Sequence, residues 1–204
     1  MLHLDHIVIT AETLGEGIDH VQKMTGLEMP KGGEHPLMGT HNRVMRLGVD
    51  EFLEVIAVNP EAPTPERPRW FGLDHVPDFP RLAHWVVRCD DMSEMQAYLK
   101  QAQGSPIAVT RDALRWLLTV PEDGSLPMDG ALPSVIQWKT QPLPPLQMEG
   151  GDAELIRLTI QHPRVADIGD WLQDMLNDDR IILLEGPQRL SAEVVIGGKE
   201  VAIY

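Results

Sequence analysis

Polar and apolar positions alternate in Leu4-Asp5-His6-Ile7-Val8-Ile9, then give way to a helical spacing over Leu14, Ile18, Val21 and Met24. Alternation puts residues of equal parity on one side of a strand, whereas the wider spacing collects four apolar side chains on one helical face. The same succession returns at a constant offset of 78 positions. Leu4, His6, Val8, Glu16 and Gly26 are matched by Leu82, His84, Val86, Glu94 and Gly104. Thr13 with Glu16, and Asp91 with Glu94, stand at the spacing of a capping box, in which the first side chain accepts from the third helical N–H. Helices are predicted over 13–25 and 91–103, the second with Met92, Met95, Leu99 and Ala102 on its apolar face.

Strand-like runs follow each helix, at 42–47 and 51–58 and again at 114–120 and 134–139, with Gly48-Val49-Asp50 as a hairpin turn. A weaker third copy begins near Leu155, 73 positions after Leu82. It offers a strand at 156–160, a helix over 165–176 with Val165, Ile168, Leu172 and Met175 aligned, and strands near 181–184 and 192–195. Proline-dense stretches at 60–80 and 141–151 read as linkers. The expected organisation is one domain over 1–204, with modules 1–80 and 81–150 and a partial third module 151–204. The third part is too short to bury its own helical face, so it should pack on the paired modules or across a homodimer interface.

Charge narrows the partners. With 31 acidic against 17 basic residues and a net charge of -14, no clustered basic face is available for nucleic acid or an anionic membrane. No membrane span or signal sequence is visible, so a cytoplasmic location is the default expectation. The lone Cys89 has no thiol to pair with and is read as structural.

By parity His6 and His84 share a face with the apolar Leu4, Val8, Leu82 and Val86. An unpartnered imidazole costs about 1 to 3 kcal/mol there. Either each histidine is satisfied by a backbone carbonyl, or the repeated pair serves chemistry. Glu54, in Phe52-Leu53-Glu54-Val55-Ile56-Ala57, and Gln137, in Val135-Ile136-Gln137-Trp138, occupy the late strands of the two modules. If the sheets join in a cup, His6, Glu54, His84 and Gln137 converge on its floor, a donor set suited to a divalent ion. The alternative for Glu54 is a buried ion pair with Arg43, Arg46 or Arg115. His35 and His41 flank a turn-rich segment, Gly32-Gly33 to Gly39, that is placed to form a lip or a solvated loop. No phosphate loop, nucleophile elbow or HExxH helix is present.

The run Leu4 to Ile9 with Phe52 to Ala57, and His84 with Gln137, resembles the glyoxalase/bleomycin-resistance/extradiol-dioxygenase (vicinal oxygen chelate) superfamily. Gly39-Thr40-His41-Asn42, 67–74 and 132–138 resemble more narrowly a bacterial glyoxalase-like domain family. The resemblance implies an α+β fold in which paired βαβββ modules form a curved mixed sheet cup. It also implies a metal ligand on the first and last strand of each module. His6, Glu54 and His84 match, with Gln137 in place of the more frequent glutamate. A divalent ion such as Zn, Fe, Mn or Ni is the implied cofactor, with Glu54 and Gln137 as the catalytic positions. The implied activity is that of a small-molecule isomerase, lyase or dioxygenase. The alternative is a metal-free protein that binds or sequesters a small molecule, as in bleomycin resistance.

Overall fold

The computed structural model describes residues 1–148 and 153–204, so the end of the 141–151 linker lies outside the described residues. Module one runs β1 (His3–Thr10), α1 (Leu14–Thr25), β2 (Glu34–His35), β3 (Thr40–Leu47) and β4 (Glu51–Val58). Module two runs β5 (Arg81–Arg88), α2 (Met92–Met95), β6 (Ser105–Arg111), β7 (Leu114–Val120) and β8 (Ser134–Trp138). All eight strands join in one sheet of order β2-β3-β4-β1-β5-β8-β7-β6. β1 and β5 lie antiparallel at its centre, and each is parallel to the last strand of its own module. His6 faces Val86 and Val8 faces His84 across the central pair, so the 78-residue offset becomes a pseudo-two-fold axis.

The curvature of this sheet separates two apolar sets. The concave side carries Val8, Ile56, Val86, Trp116, Leu118 and Ile136. The convex side carries Ile7, Ile9, Leu53, Val55, Trp85 and Val87, and these form one cluster with the C-terminal part. That part comprises β9 (Ala153–Gln161), α3 (Val165–Leu172), β10 (Ile181–Leu184), β11 (Arg189–Ile196) and β12 (Lys199–Ile203). It repeats the order strand, helix, three strands, but its sheet runs β10-β9-β11-β12, with β10 parallel to β9 directly after the helix. Arg180 ties it down by reaching both Glu51 and Asp178.

The first helix is capped as expected, with Glu16 N–H donating to Thr13 Oγ1, and it ends at Gly26 in the left-handed region, φ 72°. The second departs from expectation. Only Met92–Met95 is helical, followed by a single turn at Gln101–Gln103. Tertiary contacts are made there instead: the Trp171 indole takes up the Tyr98 carbonyl, and the buried Gln103 side-chain amide donates to the Pro133 carbonyl. The 60–80 linker is also more than a connection. Phe71 and Gly72 turn through the left-handed region and set Trp70, Phe71 and Leu73 into the concave side. Cys89 is buried, and burial pushes its thiol up to about 11, as befits a structural residue.

Candidate functional site

The structure divides the four donors expected from sequence. His6 and Glu54 meet. The Val8–Glu54 pairing of β1 with β4 puts the acid on the concave face beside the imidazole, with His6 Nε2 3.6 Å from Glu54 Oε2. His84 is on the same face but is fully enclosed. Its Nδ1 approaches the Gly130 carbonyl at 3.3 Å, while Nε2 accepts from Ser134 N–H at 3.2 Å and has Ser134 Oγ at 2.9 Å. This network assigns the proton to Nδ1. Burial lowers His84 to about 3, the Gly130 contact opposing and nearby His6 adding slightly. Its lone pair is already used within the protein.

Gln137 departs from its expected place altogether. Its neighbours Ile136 and Trp138 face the cleft, so alternation sends Gln137 to the opposite side. There its Oε1 accepts from Met92 N–H at 3.1 Å and its Nε2 donates to the Asp90 carbonyl. The parallel ladder explains the misassignment: Glu54 is registered on Val8, and the residue registered on Val86 is Ser134. Ser134, not Gln137, is the counterpart of Glu54. Among the described residues no group of three or more His, Cys, Asp or Glu side chains is placed to hold a metal ion. The four-donor centre implied by the resemblance does not fit these residues.

What surrounds His6 instead is a polar line through an apolar cup. Between Leu4 and His6 the β1–β5 register shifts, and this bulge turns Asp5 toward its neighbour, a re-aiming that simple alternation forbids. Asp5 Oδ1 lies 2.6 Å from His6 Nδ1, and its Oδ2 accepts from the Trp138 indole at 2.9 Å. Phe52 stacks on the imidazole at 4.3 Å between ring centroids. Asn42 Nδ2 donates to Glu54 Oε1 at 2.6 Å, and Asn42 Oδ1 accepts from Arg111 at 3.2 Å. The ion pairs considered for Glu54 with Arg43, Arg46 or Arg115 are not what holds it, because an amide does so.

These residues border a narrow cleft of about 40 Å³, with Trp70, Trp116 and Trp138 among its walls. It continues past Val44 and Arg111 into a wider vestibule of about 490 Å³ reaching Lys31. Sequence reasoning missed Asp5 and Arg111. The signal for Asp5 was an acid inside an apolar strand; Arg111 gave none, since it reaches the site from β6 of the other module. His35, read from sequence as part of a lip or a solvated loop, is buried instead: its Nδ1 lies 3.1 Å from Thr40 Oγ1.

A family model described as a glyoxalase-like domain matches residues 4–176. No curated protein matches the sequence. A hypothetical protein from Staphylococcus aureus superposes with a TM-score of 0.58 at 15% identity, over 99% of this chain and 84% of that one. Methylmalonyl-CoA epimerase from Mycobacterium tuberculosis gives 0.44 at 17% identity, over 68% and 88%. The Streptomyces coelicolor epimerase, solved with 2-nitronate-propionyl-CoA, gives 0.45 at 13%, over 67% and 97%. At these identities the likeness to the Staphylococcus protein is one of fold, and the weaker two bear on nothing further.

Proposed function

The chain belongs to the glyoxalase-like domain family, and within that fold we propose that it is an enzyme moving a proton at a carbon next to a carbonyl of a small substrate. The carrying observation is the line Asp5–His6–Glu54 opening on an apolar cleft. Glu54, held by Asn42, takes the proton. Nε2 of His6 faces the oxygen on which negative charge develops, and Asp5 on the far side of the ring orients the imidazole through Nδ1. Low-dielectric walls of Phe52 and Trp138 strengthen both interactions. Metal dependence, the expectation from the resemblance, has only two donors in its favour here, His6 and Glu54, so no step is assigned to an ion.

The test is exchange of carbon-bound hydrogen in deuterated water, followed by proton NMR, with pyruvate, 2-oxobutyrate, hydroxyacetone and glyceraldehyde as probes. Wild-type protein treated with a chelator should exchange at least one of them above the buffer rate, and Glu54→Gln should lower that rate by about 10²- to 10⁴-fold. No exchange above buffer for any probe would overturn the proposal in favour of a binding protein. Exchange that appears only on adding Mg²⁺, Mn²⁺, Zn²⁺ or Ni²⁺ would replace it with a metal-assisted mechanism.

A further inference from the structure

We propose that Arg111 is a carboxylate-binding post, so that the substrate is a small organic acid with its carboxylate on the guanidinium and the adjacent carbonyl-activated carbon against Glu54 and His6. The inference rests on the proton-transfer reading for which end of the ligand meets Glu54, but not for the anion site itself. Arg111 is the lysine or arginine lining the cleft among the described residues. Among the described residues Arg69, Arg88, Arg157, Arg164 and Arg180 pair with carboxylates, whereas Arg43, Arg46, Arg67, Arg81, Arg115 and Arg189, like Arg111, do not, so what singles out Arg111 is its place on the cleft. Arg111 spends one nitrogen, NH1, on two neutral acceptors, His35 Nε2 at 3.3 Å and Asn42 Oδ1 at 3.2 Å. No carboxylate among the described residues pairs with it, in a chain with 31 acidic residues. A planar fork whose second edge meets no partner among the described residues matches a carboxylate in two-point fashion.

Its surroundings hold that edge in place. A Cβ on Gly33 would stand 2.9 Å from Arg111 Cδ, so the arginine stem packs closely over the Gly33 backbone and a larger residue there would push it aside. His35 is kept neutral, down to about 3, chiefly by burial and then by the Arg111 charge. It therefore accepts from the guanidinium rather than repelling it, and Thr40 fixes the ring from its other nitrogen. A single carboxamide, that of Asn42, separates Arg111 from Glu54. A ligand bridging the two is only a few atoms long, with its acidic carbon one or two bonds from its carboxylate. The vestibule beyond Arg111 leaves room for a substituent.

Tryptophan fluorescence of the full chain, with three indoles on the cleft wall, reads occupancy. Pyruvate is titrated against pyruvamide and phenylacetate against phenylacetamide, each amide matching its acid in shape but not in charge. For at least one pair the acid should bind about tenfold or more tighter than the amide. In Arg111→Gln that preference should vanish through loss of acid affinity, with amide affinity changed less than twofold. Arg111→Lys, which keeps the charge without the fork, should fall between and guards against a Gln variant that fails to fold. Equal binding of acid and amide, no saturation by either acid, or an unchanged preference in Arg111→Gln would each overturn the proposal. A charge preference without deuterium exchange would leave the anion post standing and remove only the proton-transfer reading. Exchange without a charge preference would do the reverse.

Discussion

The two halves of the cup start from the same sequence device and end in opposite conditions. In module one the first strand reads Leu4-Asp5-His6 and the registered residue of the last strand is Glu54. In module two the corresponding residues are Leu82-Ala83-His84 and Ser134. Each histidine directs Nε2 at its last-strand partner, at 3.6 Å for Glu54 and 2.9 Å for Ser134 Oγ. The β1–β5 register also shifts on the other side of the axis, between Val8/Ile9, opposite His84 and Leu82. In module one that shift supplies a carboxylate for Nδ1; in module two Ala83 has none to offer and Nδ1 turns to the Gly130 carbonyl. Phe71 from the linker then covers the second ring at 5.4 Å, while the first borders the cleft. On the proposed reading one duplicated position serves chemistry and the other is a strut. The difference lies in two neighbours, not in the histidine.

That contrast breaks most sharply on the histidines themselves. His6→Asn should lower the deuterium-exchange rate by about 10²- to 10⁴-fold while leaving the melting temperature near wild type. His84→Ala should do the opposite. It strands the Ser134 N–H and the Gly130 carbonyl in a fully buried site and opens a cavity, at a cost of about 2 to 4 kcal/mol measured by denaturant unfolding. Residual folded His84→Ala protein should still bind ligand. If His84→Ala lost exchange at wild-type stability, the strut assignment would be wrong.

Acid should reveal the strut in another way. In the unfolded chain His35 and His84 take up protons below about 6.5, whereas burial delays uptake in the folded chain to about 3. The unfolded state binds more protons throughout that window, so stability falls as pH drops from 6.5 toward 3 and is unaffected by these groups above it. Each contributes a slope of about 1.4 kcal/mol per pH unit at most. His84→Gln, neutral at every pH, should remove one of the two contributions, read as a shallower dependence of the unfolding midpoint between pH 6 and 4. An unchanged slope would mean that His84 is protonated in the folded protein.

Much of this was legible in the residues alone. The 78-residue repeat carried the paired modules, the capping box of α1, the strands β1, β3, β4, β5, β7 and β8, and the meeting of His6 with Glu54, because those follow from local periodicity and parity, whereas β6, which carries Arg111, was not expected. What was not legible depends on register or on distant contact. Asp5 needs a bulge to leave the face that alternation assigns it. Arg111 and His35 are 76 positions apart and meet only because the sheet curls. Beyond Met95 the chain is engaged by Trp171 and Pro133, 73 and 30 positions from the Tyr98 and Gln103 they contact, and local periodicity does not show such partners.

Gln137 gives the smallest effect and a direct check on register. The module-two residue registered like Glu54 is Ser134, three positions before Gln137, and three positions after Glu54 stands Ala57. So the amide corresponds to an outward alanine. What it does there is local: it accepts from the Met92 N–H at the start of α2 and donates to the Asp90 carbonyl, doing for a four-residue helix what a longer one needs less. Gln137→Ala leaves one buried donor and one acceptor at a site that water reaches from Asp90, which is exposed. The loss should be about 1 to 2 kcal/mol of stability, with exchange rate and carboxylate affinity within twofold of wild type. The informative reading is the ratio of the two effects. A ligand on the cup floor would lose activity first, whereas a staple on the outer face loses only stability, and a Gln137→Ala protein with normal unfolding but impaired binding would move the residue back into the cup.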